Sequence, residues 1–206
     1  MKLRLPLFIL FEGIDGSGKT TLSETVYHHF ASMGIPAVKL VEPTDGIWGL
    51  QIREMLQEAA APSAEKQLEL FLKDREDDVT RNIVPSLNGN MMVIMDRYYY
   101  STAAYQGAMG LDPDHIISEN VKRGFPKPDR VYLIDVAPGH CMQRIARRKN
   151  GSAEEQFFEK KQFLEKVRAI YLALADESFC ILDGDESVEM LRQQVILDIE
   201  RNFGIE

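Results

Sequence analysis

Five apolar runs punctuate the chain, and between them apolar positions recur every three to four residues, as helices require. Leu7 to Phe11, Met91 to Met95 and Val131 to Val136 are almost uninterruptedly apolar, which is how a strand covered on both faces reads. The first of these strands is expected to begin as early as Lys2. Ala37 to Val41 and Phe179 to Leu182 are shorter candidate strands. Helical spacing runs through Leu22, Val26, His29, Phe30 and Met33 until Gly34 and Pro36 stop it. Further helices are expected at Ile47 to Ala61, Glu65 to about Leu87, Tyr98 to Met109, Asp112 to Arg123, Pro138 to Lys149, Glu154 to about Ser178, and Val188 to Phe203. The acidic run Asp74 to Asp78 reads as mostly a solvated helix face. Strands that alternate with helices in this way specify a single three-layer α/β domain, a five-stranded parallel sheet with helices on both faces.

The turn after the first strand carries chemistry. Gly13, Gly18, Lys19 and Thr20 match the phosphate-loop pattern G-x-x-x-x-G-K-[ST]. Backbone N–H groups must close around phosphate oxygens there, which a Cβ at the glycines would obstruct, and the helix that follows points its positive end at the same oxygens. Gly16, Ser17 and Thr21 complete the loop. Lys19 adds a charge between the β- and γ-phosphates of a nucleotide such as ATP, and the Thr20 hydroxyl is placed to ligate Mg2+. Asp96, at the end of the apolar run Met91 to Met95, is the expected companion acid for that metal; capping the helix at Tyr98 is its simpler role.

Composition narrows the class. With 45% hydrophobic and 27% charged residues the 206-residue chain is that of a soluble globular protein, and no apolar stretch reaches the roughly 18 residues of a membrane span. A net charge of −8 without a long basic run argues against nucleic-acid binding. Cys141 and Cys180 have no metal-ligand spacing, as expected of small packed residues in a reducing cytoplasm.

The segment Asp96-Arg97-Tyr98-Tyr99-Tyr100-Ser101-Thr102-Ala103-Ala104-Tyr105-Gln106 resembles the signature D-R-[YH]-x-x-S-x-x-A-Y-Q of the thymidylate kinase family. Phe11 to Thr21 resembles that family's F-E-G-x-D-G-x-G-K-[ST]-T, and the likeness continues through Glu42-Pro43-Thr44, Phe71 with Arg75, Pro128-Asp129, Asp135-Val136 and Phe163 to Leu172. The resemblance implies a P-loop nucleoside-monophosphate-kinase fold that transfers the γ-phosphoryl group of ATP, with Mg2+, to dTMP. It implies that Asp15 binds the sugar 3′-hydroxyl, that Arg97 binds the acceptor phosphate, that Tyr105 crowds the sugar 2′ position, and that Gln106 helps hold the base. Glu42 and Ser101 fall in the same acceptor-binding set. Phe71 and Arg75 lie one helical turn apart, so a ring able to stack on a base sits beside a donor able to reach its edge. A cytoplasmic homodimer acting on small nucleotides is the implied state.

Two subclasses of the family differ in the source of the catalytic arginine. Gly16 and Ser17 follow Asp15 where one subclass carries it, whereas Arg144, Arg147, Arg148 and Lys149 resemble the other, which uses a lid, here at about residues 144–156 around a flexible Asn150-Gly151-Ser152 link. In the lid reading Arg147 and Arg148 are the catalytic pair and Arg144 contacts the nucleotide. The family's arginine before Glu-Pro is replaced by Val41, so either Arg53 supplies that charge or the acceptor is another deoxynucleoside monophosphate. A phosphate-loop switch without small-molecule transfer is the remaining alternative, although no N-K-x-D guanine-reading segment occurs.

Overall fold

The computed structural model describes residues 2–57, 62–149 and 154–205, with side chains described at 3–57, 62–147 and 160–204. Its centre is a parallel sheet of β1 (Leu7–Glu12), β2 (Ala37–Val41), β3 (Met92–Asp96), β4 (Arg130–Asp135) and β5 (Phe179–Asp183), in the order 2-3-1-4-5. Every residue of β1 and β3 is buried, as their unbroken apolar runs require. In register, Phe11 and Val41 both sit beside Asp96, so Glu12, Glu42, Asp96 and Asp135 gather at the carboxyl edge of the sheet. Ligands of open α/β sheets bind beyond that edge, where the strand order reverses.

The helices are α1 (Lys19–Ser32), α2 (Ile47–Met55), α3 (Ala64–Asp78), α4 (Val84–Asn88), α5 (Tyr99–Ala108), α6 (Pro113–Lys122), α7 (Pro138–Lys149), α8 (Glu154–Leu174) and α9 (Val188–Phe203). They pack around the sheet, with α5 lying against α3, α6 and α8. No helix of the described residues is long and apolar enough to cross a membrane.

Four expectations are corrected. The first strand is split: Lys2–Leu3 pairs instead with Gly204–Ile205, and Pro6, with no N–H for a ladder, stands at the break before β1. Helix α2 stops at Met55, where the Gln57 N–H turns back to the Glu54 carbonyl, and residues 58–61 lie outside the described part. Helix α8 stops at Leu174 because Asp176 takes the Ser178 N–H and hydroxyl in a local turn.

The fourth concerns the acidic run. Asp74 and Asp78 are only 1% and 3% exposed, and Arg75 between them 1%. Asp74 accepts from the Thr44 backbone N–H and hydroxyl and clamps the loop after β2, and Asp78 accepts from Asn82, so only Glu76, exposed, and Asp77, half-buried, keep the solvated character expected of the run. Directly after it, a π-helical turn at Val79–Ile83 links α3 to α4, and Pro85, which cannot donate to the carbonyl one turn back, follows it.

Candidate active site

The loop between β1 and α1 owes its shape to glycine. Gly13, Gly16 and Gly18 have φ of 148°, 86° and 101°, all left-handed. A Cβ at Gly13 would stand 2.7 Å from the Ile134 carbonyl oxygen, and one at Gly16 2.7 Å from that of Cys141. Lys19 opens α1 with its side chain folded under the loop, and Nζ donates to the Ile14 carbonyl at 3.3 Å. Burial, reinforced by the nearby Arg97 charge, lowers its pKa to about 8. The Thr20 hydroxyl donates to Asp96 Oδ2 at 2.5 Å, while Asp96 Oδ1 and Ser17 Oγ are buried without a partner. Asp96 makes no cap for α5, so its simpler sequence reading does not hold.

Beside this loop lies a cavity of about 460 Å³. All the acceptor-side residues singled out in the sequence line it except Arg53: Phe71 and Arg75 from α3, Ser101, Tyr105 and Gln106 from α5, and Asp15, Glu42 and Arg97 from the sheet edge. Asp15 joins the two regions, being part of the glycine loop and of the cavity wall. It is ion-paired with Arg97, and its backbone N–H donates to the Tyr105 hydroxyl at 3.0 Å. Burial pushes the Asp15 carboxyl up, but Arg97 and then Lys19 more than offset that and hold it below the usual carboxylate range. Tyr105 is packed on its other side by Phe163, with ring centres 6.2 Å apart.

Arg97 occupies a left-handed backbone conformation, φ 69°, that non-glycine residues adopt at a cost. Glu12, which sequence reading overlooked, explains how it is held. The Glu12 carboxylate is 0% exposed. Oε1 accepts from the backbone N–H of Tyr98 at 2.9 Å and of Ser101 at 3.1 Å, and Oε2 from the Ser101 hydroxyl at 2.6 Å and the Tyr171 hydroxyl at 2.9 Å. It therefore caps α5 from the end of β1 and fixes the peptide that follows Arg97. Arg97 in turn donates to Ser101 Oγ at 3.1 Å. The signal available in the sequence was an acid closing an otherwise apolar strand.

Arg75 is held as firmly. Nε and Nη2 donate to Glu42 Oε2 at 3.0 and 2.5 Å, Nη1 to Asn120 Oδ1 at 2.9 Å, and Nη2 also to Thr102 Oγ1 at 3.1 Å. Glu42 Oε1 is buried without a partner, and burial holds this carboxyl above its ordinary pKa against the pull of Arg75. Removing one member of a buried pair strands the other charge. Arg75→Ala is therefore expected to lower unfolding free energy by about 3–5 kcal/mol, read from a denaturant titration. A loss of less than about 1 kcal/mol would mean that the pair carries little of the fold.

The remaining cations are placed as follows. Arg53 donates to the carbonyls of Pro43 and Thr44 and pairs with Asp45, so it braces the loop after β2 and is absent from the cavity wall. Val41, at the end of β2, is 45% exposed and also off the wall. Arg144 bonds to the Ser17 and Gly184 carbonyls and to Asp185, against the outer side of the glycine loop. Arg147 is exposed near the end of α7, and the Arg148 side chain and the 150–153 link lie outside the described residues. Cys141 and Cys180 are free thiols, and burial pushes the Cys141 thiol up to about 11, away from nucleophilic use.

A family model described as Thymidylate kinase matches residues 11–195. The chain is 37% identical over 196 residues to the Thymidylate kinase of Leptospira interrogans serogroup Icterohaemorrhagiae serovar copenhageni (strain Fiocruz L1-130), covering 95% of each. It is 40% identical over 194 residues to the Probable thymidylate kinase of Archaeoglobus fulgidus, covering 94% of this chain and 95% of that one. The Probable thymidylate kinase of Thermococcus kodakarensis is 38% identical over 210 residues, covering 97% and 100%.

Proposed function

Because the chain belongs to the thymidylate kinase family, we propose that it transfers the γ-phosphoryl group of ATP to dTMP, giving dTDP and ADP. The observation that carries this reading is the shared position of Asp15, in the glycine loop and in the cavity wall at once, which sets an acceptor pocket against a phosphate-binding turn. An oxygen of the acceptor monophosphate is already anionic, so no general base is needed. It forms a bond to the γ-phosphorus as the bond to the β,γ-bridging oxygen breaks and ADP leaves. The protein's part is alignment and charge, with the loop N–H groups and Lys19 on the donor and Arg97 on the acceptor phosphate.

Magnesium fits the donor set. The unpartnered Oδ1 of Asp96 beside the Thr20 hydroxyl offers one carboxylate and one hydroxyl, as suits an ion that takes its other ligands from phosphates and water. When bound, it supplies positive charge to the phosphate oxygens. On the acceptor side we assign stacking to Phe71, base-edge contacts to Arg75 and Gln106, the 3′-hydroxyl to Asp15 and the 2′ position to Tyr105. Ser101 and Glu42 serve by holding Arg97 and Arg75. Tyr105, pinned between Asp15 and Phe163, has little room to yield to a ribose hydroxyl.

The catalytic arginine is assigned to the lid, at about residues 144–156, because neither Gly16 nor Ser17 brings a cation. Replacing Arg147 and Arg148 together by methionine is expected to lower kcat by about 100-fold and to spare the KM for dTMP. Near-normal kcat in the double variant would remove the lid from the mechanism. Homodimer assembly rests on the family likeness and is read by light scattering of the purified chain.

The function itself is tested by ADP release from ATP across dTMP, dUMP, dCMP, dGMP and dAMP. Highest kcat/KM with dTMP is expected. Preference for another monophosphate would replace the acceptor, and no ADP with any of them would refute the kinase reading.

A further inference from the structure

Two buried glutamines in the cavity wall are arranged in series. The Pro62 carbonyl can only accept, and Gln67 Nε2 donates to it at 2.9 Å, which decides which end of the Gln67 amide is the oxygen. That oxygen accepts from Gln106 Nε2 at 3.0 Å, so the Gln106 amide is oriented as well. Both side chains are 3% exposed and both line the cavity. What is left over is Gln106 Oε1, buried and without a partner. A desolvated acceptor of this kind is unfavourable until something entering the cavity brings it an N–H.

The second polar reader has little choice remaining. Of the five N–H groups of a guanidinium, Arg75 commits four to Glu42, Asn120 and Thr102 and keeps one. The orientation of Gln106 thus decides which pyrimidine edge the wall complements. Thymine and uracil carry a hydrogen on N3, whereas cytosine carries a lone pair there. An amide oxygen matches the first and repels the second.

We propose that Gln67 is a specificity-determining residue, which fixes the Gln106 amide so that its unpartnered oxygen is the end left to meet the acceptor base, which must then present an N3–H, as a 2,4-dioxopyrimidine does. This rests on the reading of the cavity as the acceptor-nucleotide site. Among the described residues Gln67 is the one side chain bonded to the Gln106 amide, and the terminal torsion of a glutamine has broad, two-fold preferences. Without an acceptor at position 67 the amide is free to turn and offer Nε2 to a bare N3. Gln67 touches the base only through Gln106, and is in that sense a positioning residue.

The test compares Gln67→Met, which removes the acceptor at similar length, with Gln67→Glu, which keeps one. Gln67→Met is expected to lower the dTMP-over-dCMP ratio of kcat/KM by at least about tenfold, through KM and with the KM for ATP unchanged, whereas Gln67→Glu stays within about threefold of wild type. A folded Gln67→Met with an unchanged ratio overturns the inference, and so does a Gln67→Glu that loses the ratio as fully. If Gln67→Met does not fold, the wild type decides by calorimetry. N3-methyl-dTMP, which lacks the N3–H, is expected to bind about 100-fold more weakly than dTMP, and equal binding of the two overturns the inference. That arm needs no turnover, so a wild type that discriminates the two ligands yet makes no dTDP upholds the demand for an N3–H and refutes the kinase assignment.

Discussion

Lys19→Met is expected to lower kcat by about 10³-fold while raising thermal stability. The loss follows from position. The lysine opens α1 inside the turn assigned above to the donor phosphates, where a point charge would act on oxygens whose negative charge shifts as the γ-phosphoryl group moves. The gain in stability follows from its burial, since it is 5% exposed and its pKa falls from the ordinary 10.5 to about 8. Between those two values the unfolded chain holds a proton that the folded chain has released, so stability rises with pH across that window. Below about 8 the folded protein bears the full cost of the buried charge, which methionine removes. Donor phosphates favour the protonated form, so the KM for ATP should rise as pH climbs past about 8. Thermal melts and initial rates check both halves. A variant keeping more than about a tenth of wild-type kcat would remove Lys19 from the chemistry.

Arg97→Met is expected to lower kcat/KM for dTMP by about 10³ to 10⁴-fold with little change in the KM for ATP. The guanidinium reaches the cavity from a strained backbone and is held between Asp15 and Ser101, with the Tyr105 ring centre 5.4 Å away. It is the one cation on the described cavity wall not locked to Glu42, so no other guanidinium there is placed to take its role. With Val41 in the strand and Arg53 engaged by the loop carbonyls, the proposed acceptor-phosphate role falls the more on Arg97. Initial rates with each substrate varied in turn separate the cases. A rise confined to the KM for ATP would move Arg97 to the donor side.

What could be read in advance divides along physical lines. The glycine loop was legible because left-handed backbone and close approach leave glycine as almost the only choice at Gly13 and Gly16. The inner strands of the sheet were legible because strands covered on both faces have no polar alternation to blur them. Phe71, Tyr105 and their neighbours reach one cavity because spacing along a helix carries over directly into a face. What stayed hidden is polar and buried. Asp74 and Gln67 sit at positions where a charged or amide residue ordinarily marks solvent, and partners distant in sequence reverse that meaning: Thr44 for Asp74 and Gln106 for Gln67. Arg53 stood out in the sequence as a cation that could replace the arginine missing at Val41, yet sequence could not reveal that loop carbonyls engage it.

The carboxylate of Glu12 also bears on how this chain can change over generations. One side chain on β1 serves the start of α5 through Ser101 and the body of α8 through Tyr171, so three segments far apart in sequence answer to a single acid. A substitution at any of these positions strands hydrogen-bonding groups at the others, and a second substitution then meets a damaged neighbourhood. Variants at 12, 101 and 171 should thus combine non-additively. Descendants that lose one of the three are expected to be rescued mainly by replacements at the other two, a local epistasis built around a group with no direct part in the transfer.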